Sequence, residues 1–532
     1  MGTDKELKEK LDGLVASTPD VEAAAKIEIA RELDCLIRTS KKKSPFKSAK
    51  DRIEQLMSLI QKIACLDYSK TEITKFRTTF KGAFKLPVKD FELAYAEKRS
   101  AVLRESNMTK MKQEVEAVDQ KLTNKKTSLL EIHAILADVS SASHDMIELV
   151  VAVAISLQIS EKYGLALLWM LLVGPPSSDK TGSASTIRDV PFIYHLDTLT
   201  ENSFISGFVS PDGSATQDLL AELHHKCFVV KDFTTLFSLK ADTIRKILGD
   251  MCAIYDKIFA KFTGTRGRVQ YEAAFSHLGC ITPLALAGHH NYMNIIGPRY
   301  LFYRILPLDP SQLQEGYDIA WSGNERKIKM QQLKELVSAY VWQVAKSIPD
   351  LKPETAEQRL MINKLAELLR HGRGAIRSEL VFSEKEGKTF SYYQIAEVQI
   401  EEPWRALQQI QVLARSLAVI HKRDHITDHE LELVRRVVVS SMPVDRAEVL
   451  SLFQREDIKK QGGTLSRSMC ADLINKGYTQ AQRILTELKA VGLLEESKED
   501  DNKYIYRPAS KFKDLVIRPV NDLDHVTDLM GN

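Results

Sequence analysis

The sequence predicts an α/β fold: a parallel sheet flanked by helices, with an all-helical region before it and a helical lid and a small helix-and-hairpin module after it. Three observations carry this reading. A short apolar run, 168–173, breaks into Gly174-Pro175-Pro176-Ser177-Ser178-Asp179-Lys180-Thr181, the pattern of a buried strand feeding a turn and then a helix. A short strand at 192–196 and a second all-apolar run at 227–230 alternate with helical stretches, as in a sheet of parallel strands covered on both faces. From residue 438 the order changes to three helices and two short β-like runs.

Taken in order, residues 1–140 read as helical. Stretches 5–14, 21–37 and 49–64 place apolar residues three and four apart, with the basic break Lys41-Lys42-Lys43-Ser44-Pro45 between the last two. This module ends near Lys98; it reads equally as a surface appendage or as a DNA- or partner-binding unit. Residues 108–137 suit a linking helix or a short coiled coil. An apolar helix (146–160) precedes the first strand, and a helix (182–188) follows it. A turn at Pro211-Asp212-Gly213, a helix (214–224) and an apolar strand (279–287) with the single polar residue Thr282 come next. Near the end stand helices at 444–454, 466–475 and 479–491, then runs at 494–497 and 503–507 around a polar turn, 498–502. The boundaries expected are 1–140 (helical domain and linker), 141–310 (α/β core), 311–442 (α-helical lid), 443–510 (C-terminal module) and 511–532 (tail).

A chain of 532 residues exceeds one core and divides into roughly three to four domains of typical size. The net charge of +3 is small, so nucleic-acid binding has to come from local patches. Cys35, Cys65, Cys227, Cys252, Cys280 and Cys470 form no C-x-x-C pair, which argues against a disulfide framework or a zinc knuckle and fits a reducing compartment. Asp4, Lys5 and Glu6 stand where a signal peptide needs apolar residues, and Glu6 where myristoylation needs Ser or Thr. The apolar stretches 147–157 and 164–173 are parted by Glu161-Lys162, and neither reaches the ~18–20 residues of a membrane span. A soluble, cytoplasmic protein without a membrane partner is expected.

The chemistry lies in the loop after the first strand. Against the phosphate-loop pattern G-x-x-x-x-G-K-[ST], Gly174, Lys180 and Thr181 match, and Asp179 stands at the second glycine. Such a loop cradles phosphate with backbone N–H groups, its lysine reaches the β/γ-phosphates, and its hydroxyl holds Mg²⁺. An ordinary strand–turn–helix is the other reading. A metal-binding carboxylate should end a strand of the same sheet. Asp232 ends the 227–230 run, 52 residues after Lys180. Thr282 would place a hydroxyl between the two. Arg299 opens an aromatic-aliphatic stretch, from which it would reach a neighbouring subunit's γ-phosphate; for both Arg299 and Arg304 a surface salt bridge is the alternative.

The succession GPPSSDKT, FVVKDFT, ILGDMCAIYD, GCITP, GPRYLFYRI and VLARSLAVIHKRDHITDHELELVRRV resembles the AAA+ ATPases of phages and mobile genetic elements, relatives of the minichromosome maintenance (MCM) helicases, over roughly 146–442. The resemblance implies ATP and Mg²⁺. Gly174, Pro175, Pro176, Ser177, Ser178, Asp179, Lys180 and Thr181 would bind the nucleotide, and Thr181 and Asp232 the metal. Thr282 falls at the first sensor, Arg299 at the arginine finger and Arg415 at the second sensor. A hairpin at 261–270 would turn Lys261, Arg266 and Arg268 toward DNA in a ring; without the family context the same cations read as a solvated loop. The C-terminal module would be a winged helix-turn-helix, usual in that group. Gln480, Gln482 and Arg483 on its third helix suit base reading, while Glu487, Glu495, Glu496, Glu499, Asp500 and Asp501 oppose DNA contact.

Two departures bear on activity. Phe233 replaces the glutamate that usually follows the Walker B aspartate, leaving Asp256 and Glu222 as candidate bases. The charge of Asp179 would oppose phosphate by about 2–3 kcal/mol at ~6 Å and an effective dielectric of ~20. The expected function is an ATP-dependent helicase or translocase on single- or double-stranded DNA, replicating a mobile element or phage. It would form a homo-hexameric ring, with the N-terminal domain docking a primase or initiator. The alternative is a DNA-binding initiator or loader scaffold with a weak ATPase.

Overall fold

A computed structural model of the chain describes residues 19–42, 48–99, 116–206, 218–288, 297–385, 388–498 and 504–517, except positions 67, 93, 96, 97, 307 and 309. The expectations for Lys43-Ser44-Pro45, for the start of the linking helix, for Pro211-Asp212-Gly213, for Glu499, Asp500 and Asp501 and for the tail from residue 518 lie outside the described residues. The chain divides into two compact units, one of Met1–Ala117, Ser206–Gln217 and Phe262–Arg268, the other of Val118–Ile205, Asp218–Lys261 and Val269–Asn532.

The smaller unit holds helices α1 (Pro19–Lys42), α2 (Ala49–Cys65) and α3 (Lys70–Phe84). Ser48 caps α2 by accepting from the Asp51 N–H, and Ser69 with Glu72 forms a capping box on α3. Three- and four-residue spacing brings Leu56, Leu59, Ile60 and Ile63 to one face of α2, buried with Phe80, Phe84 and Phe91.

The larger unit includes α4 (Leu129–Val139) and α5 (His144–Tyr163), then β1 (Trp169–Val173), α6 (Lys180–Ser185), β2 (Ile193–Leu196), α7 (Leu219–Leu223), β3 (Lys226–Val230) and α8 (Ala241–Ile254). Strands β4 (Ile258–Thr263) and β5 (Gly267–Glu272) pair as a two-stranded sheet. They are followed by β6 (Phe275–Ile281), α9 (Pro283–Gly288) and β7 (Tyr300–Arg304). Five strands form one sheet in the order β2-β3-β6-β1-β7, every pair parallel. On β1, Met170 and Leu172 enter one apolar core while Trp169, Leu171 and Val173 enter another. A strand covered on both faces needs apolar side chains at every position, which is why its sequence shows no alternation.

Two expectations are corrected. The strand predicted at 279–287 lies at Phe275–Ile281, and Pro283 opens α9; proline lacks the N–H a ladder needs and suits a helix's first turn. The region 311–442 is not wholly helical. It contains α10 (Pro310–Trp321), α11 (Asn324–Lys346) and α12 (Ala356–Arg373), then a long antiparallel hairpin, β8 (Ala375–Lys385) and β9 (Lys388–Gln399), before α13 (Pro403–Ile420) and α14 (Asp428–Ser440). The β-branched and aromatic residues of that stretch, among them Ile376, Val381, Phe382, Phe390, Tyr392 and Tyr393, favour strands.

The C-terminal stretch comprises α15 (Val444–Leu452), α16 (Glu456–Lys460), β10 (Leu465–Ser466), α17 (Arg467–Leu473), α18 (Tyr478–Ala490), β11 (Leu494–Lys498), β12 (Tyr504–Pro508) and α19 (Lys513–Ile517). Strand β12 lies between β10 and β11, antiparallel to both. No described helix is long and apolar enough to cross a membrane.

Candidate nucleotide site

Because the five strands are parallel, their carboxyl ends share one edge, the place where α/β sheets bind ligands. The Gly174 N–H donates to the Ile281 carbonyl (3.1 Å) and the Ile305 N–H to the Val173 carbonyl (2.8 Å), tying the loop after β1 to both neighbouring strands. A Cβ on Gly174 would lie 2.5 Å from Ser178 Oγ and 2.8 Å from Ile305 Cδ1, so any side chain there would force both neighbours to shift.

The loop then turns through two left-handed residues, Ser177 (φ 64°) and Asp179 (φ 55°). Aspartate is among the few side chains that tolerate this conformation, which explains how it occupies the second glycine's place. Its carboxylate accepts a hydrogen bond from Ser140, the residue that ends α4. The charge expected to confront a phosphate therefore has a protein partner.

Lys180 opens α6 and is buried, its Nζ donating to the Pro175 carbonyl at 2.8 Å. Thr181 Oγ1 donates to the Lys231 carbonyl at 3.4 Å, which sets the hydroxyl beside the end of β3. There Asp232 Oδ1 accepts from the Thr234 N–H (3.0 Å), and Thr234 Oγ1 accepts from the Thr282 N–H (3.4 Å) at the end of β6. Thr282 Oγ1 in turn accepts from the Ala285 N–H (3.4 Å) and caps α9. Cys280 Sγ donates to the Lys180 carbonyl at 3.5 Å, and burial pushes its thiol up to about 12, so it stays protonated. Gly174, Lys180, Thr181, Asp232 and Thr282 are thus gathered on one edge from three strands.

These residues fit a phosphate chain with a divalent cation. Ser178 Oγ is buried without a hydrogen-bond partner, and a Cβ at Gly174 would crowd it. Mg²⁺ keeps most of its water and takes one or two protein oxygens, which the Thr181 hydroxyl and the Asp232 carboxylate would supply.

Other candidates lie elsewhere. Phe233 is fully buried against Phe237, His277 and Tyr300; it is a core side chain, in a place where a charged glutamate would lack the water or partner it needs. Glu222 pairs with Lys226 (3.8 Å) at the amino end of β3, and Asp256 precedes β4. Five strand residues, ~17 Å at ~3.3 Å each, separate the amino end of β3 from Asp232, so Glu222 is not the base for its own loop. Arg299 precedes β7 at the same amino edge. Its Nε donates to the Cys252 carbonyl (3.2 Å) and its guanidinium lies 6.0 Å from the Tyr255 ring centre. Arg415 donates to Glu354 Oε1 from Nε (2.9 Å) and Nη2 (2.7 Å), and stacks 4.5 Å from the centre of the Tyr163 ring. The structure brings neither arginine to its own chain's loop. Arg304 ends β7 on the carboxyl edge, where Nη2 donates to the Met442 carbonyl (2.9 Å) and burial lowers its pKa to about 10. That contact replaces the surface salt bridge considered for it. Ser140, Ser178 and Thr234 were not singled out from the sequence, which gives no spacing cue for any of them.

Of the cations on the β4–β5 hairpin, Lys261 pairs with Asp250 (3.5 Å), Arg266 Nη1 donates to the Ser206 carbonyl (2.9 Å), and Arg268 is exposed. On α18, Gln480 and Arg483 are exposed and Gln482 is half-buried. Arg483 pairs with Asp445 (3.6 Å) and Glu487 (3.8 Å), and Lys489 with Glu496. Carboxylates of the protein itself already neutralise much of the helix that would meet DNA.

No protein-family model matches the chain, and no curated protein matches it. Among solved structures, one from Cytophaga hutchinsonii, described as "a putative ATPase", aligns over 70% of this chain and 98% of its own, with 12% identity and a TM-score of 0.34. A likeness that low transfers neither fold nor activity, so the functional reading rests on the site.

Proposed function

We propose that the protein is an ATP hydrolase of the MCM-like AAA+ group that works as a ring on DNA. The observation that supports this best is the carboxyl edge of the sheet, where the Gly174 loop, Lys180, Thr181, Asp232 and Thr282 converge. ATP is the substrate. Backbone N–H groups of 174–181 and the Lys180 ammonium would hold its phosphates, and Thr181 and Asp232 the Mg²⁺, which supplies charge neutralisation on the transferring phosphoryl group. Lys180 must leave the Pro175 carbonyl to do so, exchanging a neutral acceptor for an anionic one. Thr282 and Thr234 position the hydroxyl groups between the two strands. Arg299, tied to the opposite edge, would serve the site of an adjoining subunit, a role that requires an oligomer.

DNA contact is assigned to Arg268 and its neighbours on the β4–β5 hairpin and to α18 of a winged-helix module, with the N-terminal helices docking a replication partner. A second reading, a DNA-binding loader scaffold with a weak ATPase, is favoured by one observation, the burial of Phe233 where a catalytic glutamate would stand. Steady-state and single-turnover ATP hydrolysis by wild type and Lys180→Ala, with and without single-stranded DNA, separates the two. The motor reading expects DNA-stimulated turnover that Lys180→Ala removes. Nucleotide binding with no turnover in wild type would support the scaffold instead.

A further inference from the structure

Away from the nucleotide loop, three helices meet at a cluster that the proposed reaction does not use. Glu148 of α5 is 1% exposed, a carboxylate in a helix most of whose residues are buried. His421 follows the last residue of α13, and His429 is the second residue of α14. One donor atom from each of Glu148, His421 and His429 lies within 4.8 Å of the other two. The two imidazole rings are edge-on, 4.9 Å between centres and 67° between planes. His421 Nε2 is 3.2 Å from Glu148 Oε2, close to the ~3.3 Å that separates two ligands each ~2.0–2.1 Å from a tetrahedral zinc.

The surroundings match what a metal-bound histidine needs. The other nitrogen of His421, Nδ1, meets Glu430 Oε1 at 2.6 Å. That is the carboxylate contact that fixes tautomer and ring orientation in carboxylate–histidine–metal sites. Glu430 is itself held, accepting from Arg423 Nη1 (2.6 Å), the Thr427 N–H (2.7 Å) and Thr427 Oγ1 (2.6 Å). On the far side His133, 6% exposed, places its Nε2, which has no hydrogen-bond partner, 3.3 Å from Glu148 Oε1.

We propose that Glu148, His421 and His429 bind one divalent transition metal, zinc by the chemistry of the donors, with Glu430 orienting His421. Two imidazoles and one carboxylate are a borderline-soft set that suits zinc over Mg²⁺ or Ca²⁺. Binding the metal releases the proton from His421 Nε2 and leaves the Nδ1–H on Glu430. The fourth position falls to water. The metal staples α5, which packs on the sheet, to the last two helices before the C-terminal module, so its main effect is on stability. This assignment is independent of the ATPase reading.

The test uses the full-length chain, stripped with chelator, dialysed and titrated with zinc chloride at pH 7.5 against a chromophoric chelator. Wild type is expected to bind one equivalent and to melt at a higher temperature with zinc than without. His429→Asn, at the half-buried rim, should lose the tight equivalent and the zinc-dependent rise in melting temperature. Its melting without zinc should stay near that of stripped wild type. Glu430→Gln should weaken binding by about 10–100-fold. Cobalt(II) should give a tetrahedral visible spectrum without thiolate charge-transfer bands, which excludes the six cysteines as ligands. No tight equivalent in wild type, or a tight equivalent and melting shift that survive His429→Asn, would overturn the proposal. In that case His421 is a protonated bridge between Glu148 and Glu430.

Discussion

The two edges of the parallel sheet make opposite use of the same kinds of residue. At the carboxyl edge, polar groups from β1, β3 and β6 point into a common space, and Lys180 and Ser178 keep only a carbonyl contact or no partner. At the amino edge, Arg299 and Glu222 are each committed to the protein, through the Cys252 carbonyl and Lys226, and Arg415 on α13 is likewise held by Glu354. Parallel strands place every strand-to-helix loop on one side, so a site within one chain forms there. The far edge can serve only by facing another molecule.

The largest expected effect is at Lys180. Lys180→Ala should reduce ATP hydrolysis by about 100-fold or more, the usual cost of removing a charge-stabilising donor, with the circular-dichroism melt little changed. The sharpest test of the two-edge contrast mixes Arg299→Ala with Lys180→Ala. Each alone should be inactive, and the mixture should regain hydrolysis at interfaces that pair an intact loop with an intact arginine. Recovery absent despite confirmed co-assembly would place Arg299 outside the reaction.

Gly174→Ala should cost about 1–3 kcal/mol in urea denaturation, as overpacking does, and abolish binding of a fluorescent nucleotide, because the new Cβ meets Ser178 and Ile305. Within the sheet, burial among Trp169, Phe228, Phe233 and Tyr300 lowers the His277 pKa to about 3. The unfolded chain therefore takes up the proton first, and stability is lost as pH falls below about 6.5. At pH 5 that amounts to roughly 2 kcal/mol, which His277→Phe should recover in denaturation curves at pH 5 against pH 7.5. The smallest effect is at Asp179. Asp179→Gly should tighten nucleotide binding by about 10-fold, ~1.4 kcal/mol, whereas Ser140→Ala, which strips the carboxylate of its donor, should weaken it. Equal affinities for all three proteins would show that the charge at 179 is fully offset.

Strands β1 and β3 were legible because burial on both faces demands uninterrupted apolar runs, and the loop because Gly174, Lys180 and Thr181 keep their spacing. The hairpin at Ala375–Gln399 was missed amid helices whose periodic pattern surrounds it. The end of β6 was misplaced because the apolar residues continue past Pro283 into α9, and composition alone does not mark where a ladder stops. Asp179 read as a flaw until its φ of 55° and its bond to Ser140, 39 residues earlier, gave it a conformational and electrostatic reason.

By itself the sequence determined the local grammar: which runs are buried strands, which glycine the loop requires, and which residues have the chemistry to meet phosphate and metal. Those properties follow from side-chain type and short-range spacing. Only the tertiary structure decided which of the candidates meet. Thr181 reaches the end of β3, at the Lys231 carbonyl beside Asp232, because β3 lies parallel to β1 with β6 between them. Arg299 does not, since it sits at the start of its strand and not at the end. Glu148, His421 and His429 come together from positions up to 281 residues apart, a distance in sequence that no local pattern spans.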